Sequence, residues 1–160
     1  MNPAKRILVL VIPLLAATVL LAGCGSLTSY AAKVNGRRIT QNELDRELNA
    51  VLGNKAYLDQ IDQSFASQAQ ESARGAGKDT LNSVFVARLL ERRIAFELIR
   101  QEVKKKDLDV TPKDLEAAKS EIVSSFEDER ILNAFPQSYR DELVRSTAEV
   151  TVLERSFAQT

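Results

Sequence analysis

Chemistry needs particular side chains at particular spacings, and this chain offers few. The acidic groups Glu43, Asp45 and Glu47, and Glu127, Asp128 and Glu129, are candidates for a metal or acid–base site. A calcium loop alternates oxygen ligands around a glycine turn, which neither group does. Catalytic carboxylates need two contrasting environments, whereas both groups fall in polar patterns that suit a solvated helix face. Gly75-Ala76-Gly77-Lys78-Asp79-Thr80 has some features of a phosphate-binding loop. That motif requires glycine where Ser72 stands and Ser or Thr where Asp79 stands, after an apolar strand that is missing here. A flexible connector is the expected reading. Histidine is absent, which removes the commonest general base and metal ligand. With one cysteine, neither an internal disulfide nor a cysteine-rich metal site can form. No nucleophile–base pair can be assembled, so the expectation is no catalytic residue, no metal site and no cofactor.

The one cysteine, Cys24, sits at the end of a leader. Lys5 and Arg6 give a positive start, residues 7–20 are nearly all apolar, and Leu21-Ala22-Gly23-Cys24 follows. This is the pattern of a secretory signal peptide, and LAGC resembles a bacterial lipobox, in which the cysteine becomes the lipidated first residue. The expected organisation is a lipoprotein signal peptide over 1–23, a lipidated tether over 24–30 and a helical domain over 31–160. Lipid attachment at Cys24 would hold the protein on a membrane outside the cytoplasm, since several acyl chains each contribute ~0.8 kcal/mol per buried CH₂. An uncleaved anchor and a free thiol remain open, although Pro13 interrupts the apolar run.

The charge balance is even, 22 basic against 22 acidic residues; without Lys5 and Arg6 it is 22 − 2 = 20 against 22, or −2. No basic excess favours nucleic acid. Aromatics are sparse at 6%, Trp is absent and helix formers abound, which indicates an all-α domain. Within it, Asn35-Gly36 marks a tight hairpin turn between short strands carrying Val34 and Ile39. Thr40 and Glu43 form a capping box, opening a helix striped with Leu44, Leu48, Val51 and Leu52 and ended by Gly53. A second helix is expected over about 55–71, with Tyr57, Leu58, Ile61, Phe65 and Ala69 inward and Gln60, Gln63, Gln68 and Gln70 outward.

A long helix follows the glycine-rich connector. Leu81, Val84, Phe85, Leu89, Leu90, Ile94, Phe96, Leu98, Ile99 and Val103 make a stripe too wide for one face, so packing on several sides is expected. Lys104, Lys105 and Lys106 suit its last turn, and near a membrane could also meet anionic lipid heads. Thr111 as N-cap and Pro112 at the first helical position start the next helix, with Leu115, Ala118, Ile122 and Phe126 on its apolar face. A short helical turn with Ile131 and Leu132 ends near Phe135-Pro136. A last helix from Ser138 carries Tyr139, Leu143, Val150, Leu153 and Phe157.

Two of these signals resemble a known family. Val34, Asn35, Gly36, Ile39, Thr40 and Leu44 match a V-N-G-x-x-I-T strand pair leading into a capped helix. Val110, Thr111, Asp114 and Leu115 match the V-[ST]-x-x-[DE]-[IL] restart after a long helix. In this order behind a lipobox, they resemble the N-terminal chaperone domain of SurA-like and PrsA-like extracytoplasmic folding factors, over about residues 31–157. The resemblance implies a mainly helical domain with a very short N-terminal β-ribbon, acting on unfolded or newly exported polypeptides without a cofactor. Many relatives carry a parvulin-type prolyl isomerase domain after the helical part, often with active-site histidines. The resemblance therefore implies a chaperone-only member or the front portion of a longer isomerase lipoprotein; an assembly lipoprotein with one folded partner is the other alternative. Client-binding residues are not identified. Phe65, Phe126, Phe135, Tyr139 and Phe157 are candidates, but each suits a core better.

Overall fold

A computed structural model describes residues 29–68 and 71–158. The leader, Cys24 with most of its tether, Ala69 and Gln70 lie outside them. Among the described residues the architecture is a two-stranded ribbon followed by six helices, the all-α class with a short N-terminal ribbon.

The ribbon pairs β1 (Tyr30–Val34) antiparallel with β2 (Arg37–Thr40), with Val34 opposite Arg37 and Lys33 opposite Arg38. Asn35 (φ 47°) and Gly36 (φ 92°) are both left-handed, as the tightest hairpin turns demand. Two strands cannot stand alone; Val34 and Ile39 are buried beneath the ribbon, and the Val34 carbonyl accepts from Gln101 Nε2 at 3.3 Å.

The first helix, α1 (Gln41–Gly53), opens on the expected box: Glu43 N–H donates to Thr40 Oγ1, and Thr40 N–H donates to Glu43 Oε2. Then α2 (Lys55–Ser67) ends sooner than its stripe suggested. Its Gln63 and Gln68 are exposed, but Gln60 is half-buried and its Oε1 points inward. The loop after it is not an open connector. Asp62 accepts from Ser72 Oγ at 2.9 Å and Ala73 N at 2.7 Å and pairs with Arg74, while Gly75 N donates to Thr80 O at 2.9 Å.

The long helix α3 (Ser83–Lys105) is capped by Asn82. It stops in a Schellman motif: Asp107 N donates to Lys104 O and Leu108 N to Val103 O, with Asp107 at φ 53°. The long helix does meet several neighbours: α6 and the ribbon, Glu47 of α1 through Arg92 and Arg93, and Phe65 of α2 through Phe85. α3 lies along α6 and the ribbon, burying Phe85, Leu89 and Val103, while Val84 and Leu98 stay exposed. Its width serves two rows of contacts, one apolar and one of arginines.

After Thr111, whose box is closed by Asp114, come α4 (Pro112–Ser125), α5 (Glu129–Asn133) and α6 (Gln137–Ala158). α6 packs on both α3 and α4. The core joins Val51, Leu58, Phe85, Leu89, Ile122, Leu132 and Phe135. Tyr57, Phe126, Phe135 and Tyr139 stack within it, with Phe135 4.7 Å from Tyr139 and 5.0 Å from Tyr57 between ring centroids. Among the described residues, no helix is long and apolar enough to cross a membrane.

Candidate functional site

Three carboxylates, Glu47, Asp114 and Glu149, are buried and paired with arginine. Glu47, 7% exposed, accepts from Arg92 Nη2 at 2.7 Å and Arg93 Nη1 at 3.1 Å, joining α1 to α3. The expectation of a solvated face at Glu43, Asp45 and Glu47 is thus corrected at Glu47: arginines 45 and 46 residues away supply its charge partners. Glu149 accepts from Arg100 Nε at 3.2 Å, joining α3 to α6, and Asp114 accepts from Arg155 Nη2 at 2.7 Å, joining α4 to α6. Breaking such a pair strands a buried charge, so the pairs fix the register of the helices more than they add stability. The second acidic group stays at the surface, where Asp128 caps α5 by accepting from Arg130 N at 2.8 Å.

Glu47 with Arg92 and Arg93, together with Arg100, lines a cleft of about 630 Å³ between β2, α1, α3 and α6. Within it Arg92 also donates to the Tyr139 hydroxyl at 2.9 Å. Burial pushes the Tyr139 hydroxyl above its ordinary value, and the Arg92 cation partly opposes this. At Glu43 burial raises the carboxyl, but the Thr40 N–H, the Arg37 guanidinium and the Thr40 hydroxyl together hold it down to about 2. Ser146 Oγ is buried at the cleft floor without a partner. The cleft is built to hold helices together.

A second groove, about 830 Å³, opens between α4, α5 and α6. Val110, Leu115, Val123 and Val144 line it above the buried Ile122 and Leu132, and Lys119, Glu129, Arg140 and Arg145 stand among its lining residues. Leu115 is 37% exposed, although it lies on the stripe expected to face the core. The cause is separation: Asp114 ties α4 to α6 through Arg155, and α5 is only five residues long, which leaves Leu115 partly uncovered. An apolar floor among mixed charges can hold an extended apolar segment while its polar backbone stays near water.

The expected aromatic contacts sort cleanly. Phe135 is buried, Phe65, Phe126 and Tyr139 are half-buried against other rings, and only Phe157 is exposed, under Lys106 Nζ at 4.8 Å. Cys24 lies outside the described residues. The groove was missed by sequence reasoning; its one available signal was Leu115, an apolar residue within the restart motif.

A family model described as the SurA-like N-terminal domain matches residues 1–130. The chain therefore belongs to the SurA-like N-terminal domain family. Both sequence motifs fall inside the matched stretch, while α6 lies beyond it. Membership brings a chaperone-like, extracytoplasmic role and a chaperone-type interaction with polypeptides. No curated protein and no solved structure matches the chain.

Proposed function

We propose that this protein is a membrane-tethered, extracytoplasmic chaperone module, held by lipid on Cys24, that shields apolar segments of unfolded or newly exported polypeptides in the groove between α4, α5 and α6. Family membership is the observation that carries the reading. The groove supports it: partly exposed apolar side chains on a charge-paired helical frame offer a client a surface on which its own apolar segments do not associate. The mature chain has no methionine, so the adaptability comes from aliphatic side chains on an open groove rather than from flexible thioethers.

The test is light scattering from an aggregating unfolded protein with residues 25–160 added. Stoichiometric suppression across unrelated clients is expected, and Leu115→Glu is expected to weaken it while Val84→Glu, at a more exposed apolar residue outside the groove, does not. Protection of one partner only would replace this reading with an assembly lipoprotein. Acceleration of proline cis–trans exchange, blocked by a parvulin inhibitor, would contradict a holding role. For the tether, Cys24→Ser should release the protein from membranes; unchanged retention would favour an uncleaved anchor.

A further inference from the structure

We infer that the outer face of the β-ribbon, carrying Tyr30, Lys33 and Arg38, docks on the anionic headgroups of the membrane that holds the protein. The inference rests on the tether proposed at Cys24 and adds a second, electrostatic contact to it. The register divides the ribbon into two faces with opposite electrostatics. On the inner side Val34 and Ile39 are buried, and Arg37 meets Glu43 at 2.7 Å. On the outer side Lys33 stands directly opposite Arg38, and both are exposed. Like charges directly opposite on a ladder repel, and among the described residues neither has a carboxylate within ion-pair distance. Elsewhere Arg92, Arg93 and Arg100 each meet an acid. The outer pair is therefore left for something outside the fold.

Arg38 lies over the Tyr30 ring, 5.6 Å from its centroid, and Tyr30 is itself half exposed. An exposed tyrosine beside two unpaired cations is the composition of a membrane–water interface, where the ring sits at headgroup depth and the cations meet phosphate. Position agrees with composition. Ser29 is five residue steps from Cys24, so even a fully extended chain keeps the ribbon within ~18 Å of the lipid. Net charge does not explain such an attraction, because the chain after the leader is negative, with 20 basic against 22 acidic residues. Each cation at an anionic surface raises partitioning about fivefold. Docking would turn the ribbon toward the membrane and hold the groove at a fixed orientation to it.

Every side chain described as buried lies between Val34 and Val152, so a chain starting at Cys24 keeps its core. The experiment couples residues 24–160 through the single thiol to a maleimide lipid, on phosphatidylcholine vesicles with or without phosphatidylglycerol. Acylation by a membrane-impermeant amine reagent is then read at each lysine by mass spectrometry. Lys33 should label about fivefold more slowly on the phosphatidylglycerol vesicles, with Lys78 and Lys113 unchanged, and Arg38→Glu should remove the effect. Equal labelling of Lys33 on both vesicles would overturn the proposal, as would equal slowing at Lys78 and Lys113. Protection of Lys33 by millimolar phosphate on neutral vesicles would instead mark a free-anion site and also overturn it. Because the coupling is chemical and no client is present, neither native lipidation nor chaperone activity affects the outcome.

Discussion

Replacing Asn54 with alanine should destabilise this fold more than any other single polar deletion between α1 and α2. Asn54 is 2% exposed and serves two elements at once. Its Oδ1 caps α2 by accepting from Tyr57 N at 3.1 Å, and its Nδ2 donates to the Ile131 carbonyl on α5 at 2.7 Å. Losing the cap costs about 1 kcal/mol. Leaving the Ile131 carbonyl without its donor costs about 1–3 kcal/mol. The sum is about 3 kcal/mol, which at about 4 °C per kcal/mol for a domain of this size lowers the melting temperature by about 12 °C. Asn54→Ser restores the cap but not the amide donor and should recover about 1 kcal/mol of that loss. Urea unfolding of residues 25–160 followed by circular dichroism checks both variants, with the dependence on urea unchanged. A loss below 1 kcal/mol for Asn54→Ala, or an alanine variant no worse than serine, would refute the double role.

Other perturbations probe the frame. Glu43 and Asp114 are each held down to about 2, from ordinary values of 4.5 and 3.8. For Asp114 the Thr111 hydroxyl is the main cause, followed by Arg155. Both carboxylates are depressed, so their stabilisation is complete above about pH 4.5 and is lost as pH falls toward 2. Thermal melts from pH 7 to 2 should show that loss, and Thr111→Val, which lets the Asp114 carboxyl rise toward its ordinary value, should make the loss smaller; a flat profile over this window would count against the pairing. Gly75→Ala should cost about 1–3 kcal/mol, because its new Cβ would stand 2.7 Å from Thr80 Oγ1 and 2.9 Å from the Leu81 carbonyl oxygen. Gly53→Ala, with open space around it, is the control for the same melts.

Local signals were legible in the sequence and distant partners were not. Asn35-Gly36, the Thr40–Glu43 box and the Thr111-Pro112 start all work within a few residues, and each forms as its chemistry dictates. Glu47 looked solvated because its identity is polar; only the fold brings Arg92 and Arg93 to it. The same holds for Glu149, buried on a helix whose apolar stripe hid it behind Val150 and Leu153, and for Asn54, whose second partner lies 77 residues away. The glycine-rich loop looked loose because its closure depends on Asp62, one helix earlier. The groove was least legible of all. It is a gap, and α4 alone reads as a fully covered stripe.

The most direct test of the account is where an unfolded client touches the chain. A photo-crosslinking amino acid placed in turn at positions 115, 123, 84 and 98, with an unfolded outer-surface or secreted polypeptide added, reads this by mass spectrometry. The account expects strong crosslinks from 115 and 123 in the α4–α6 groove and weak ones from 84 and 98, which are exposed on α3 or outside the groove. Crosslinks of equal strength at all four positions, or concentrated at 84 and 98, would contradict it.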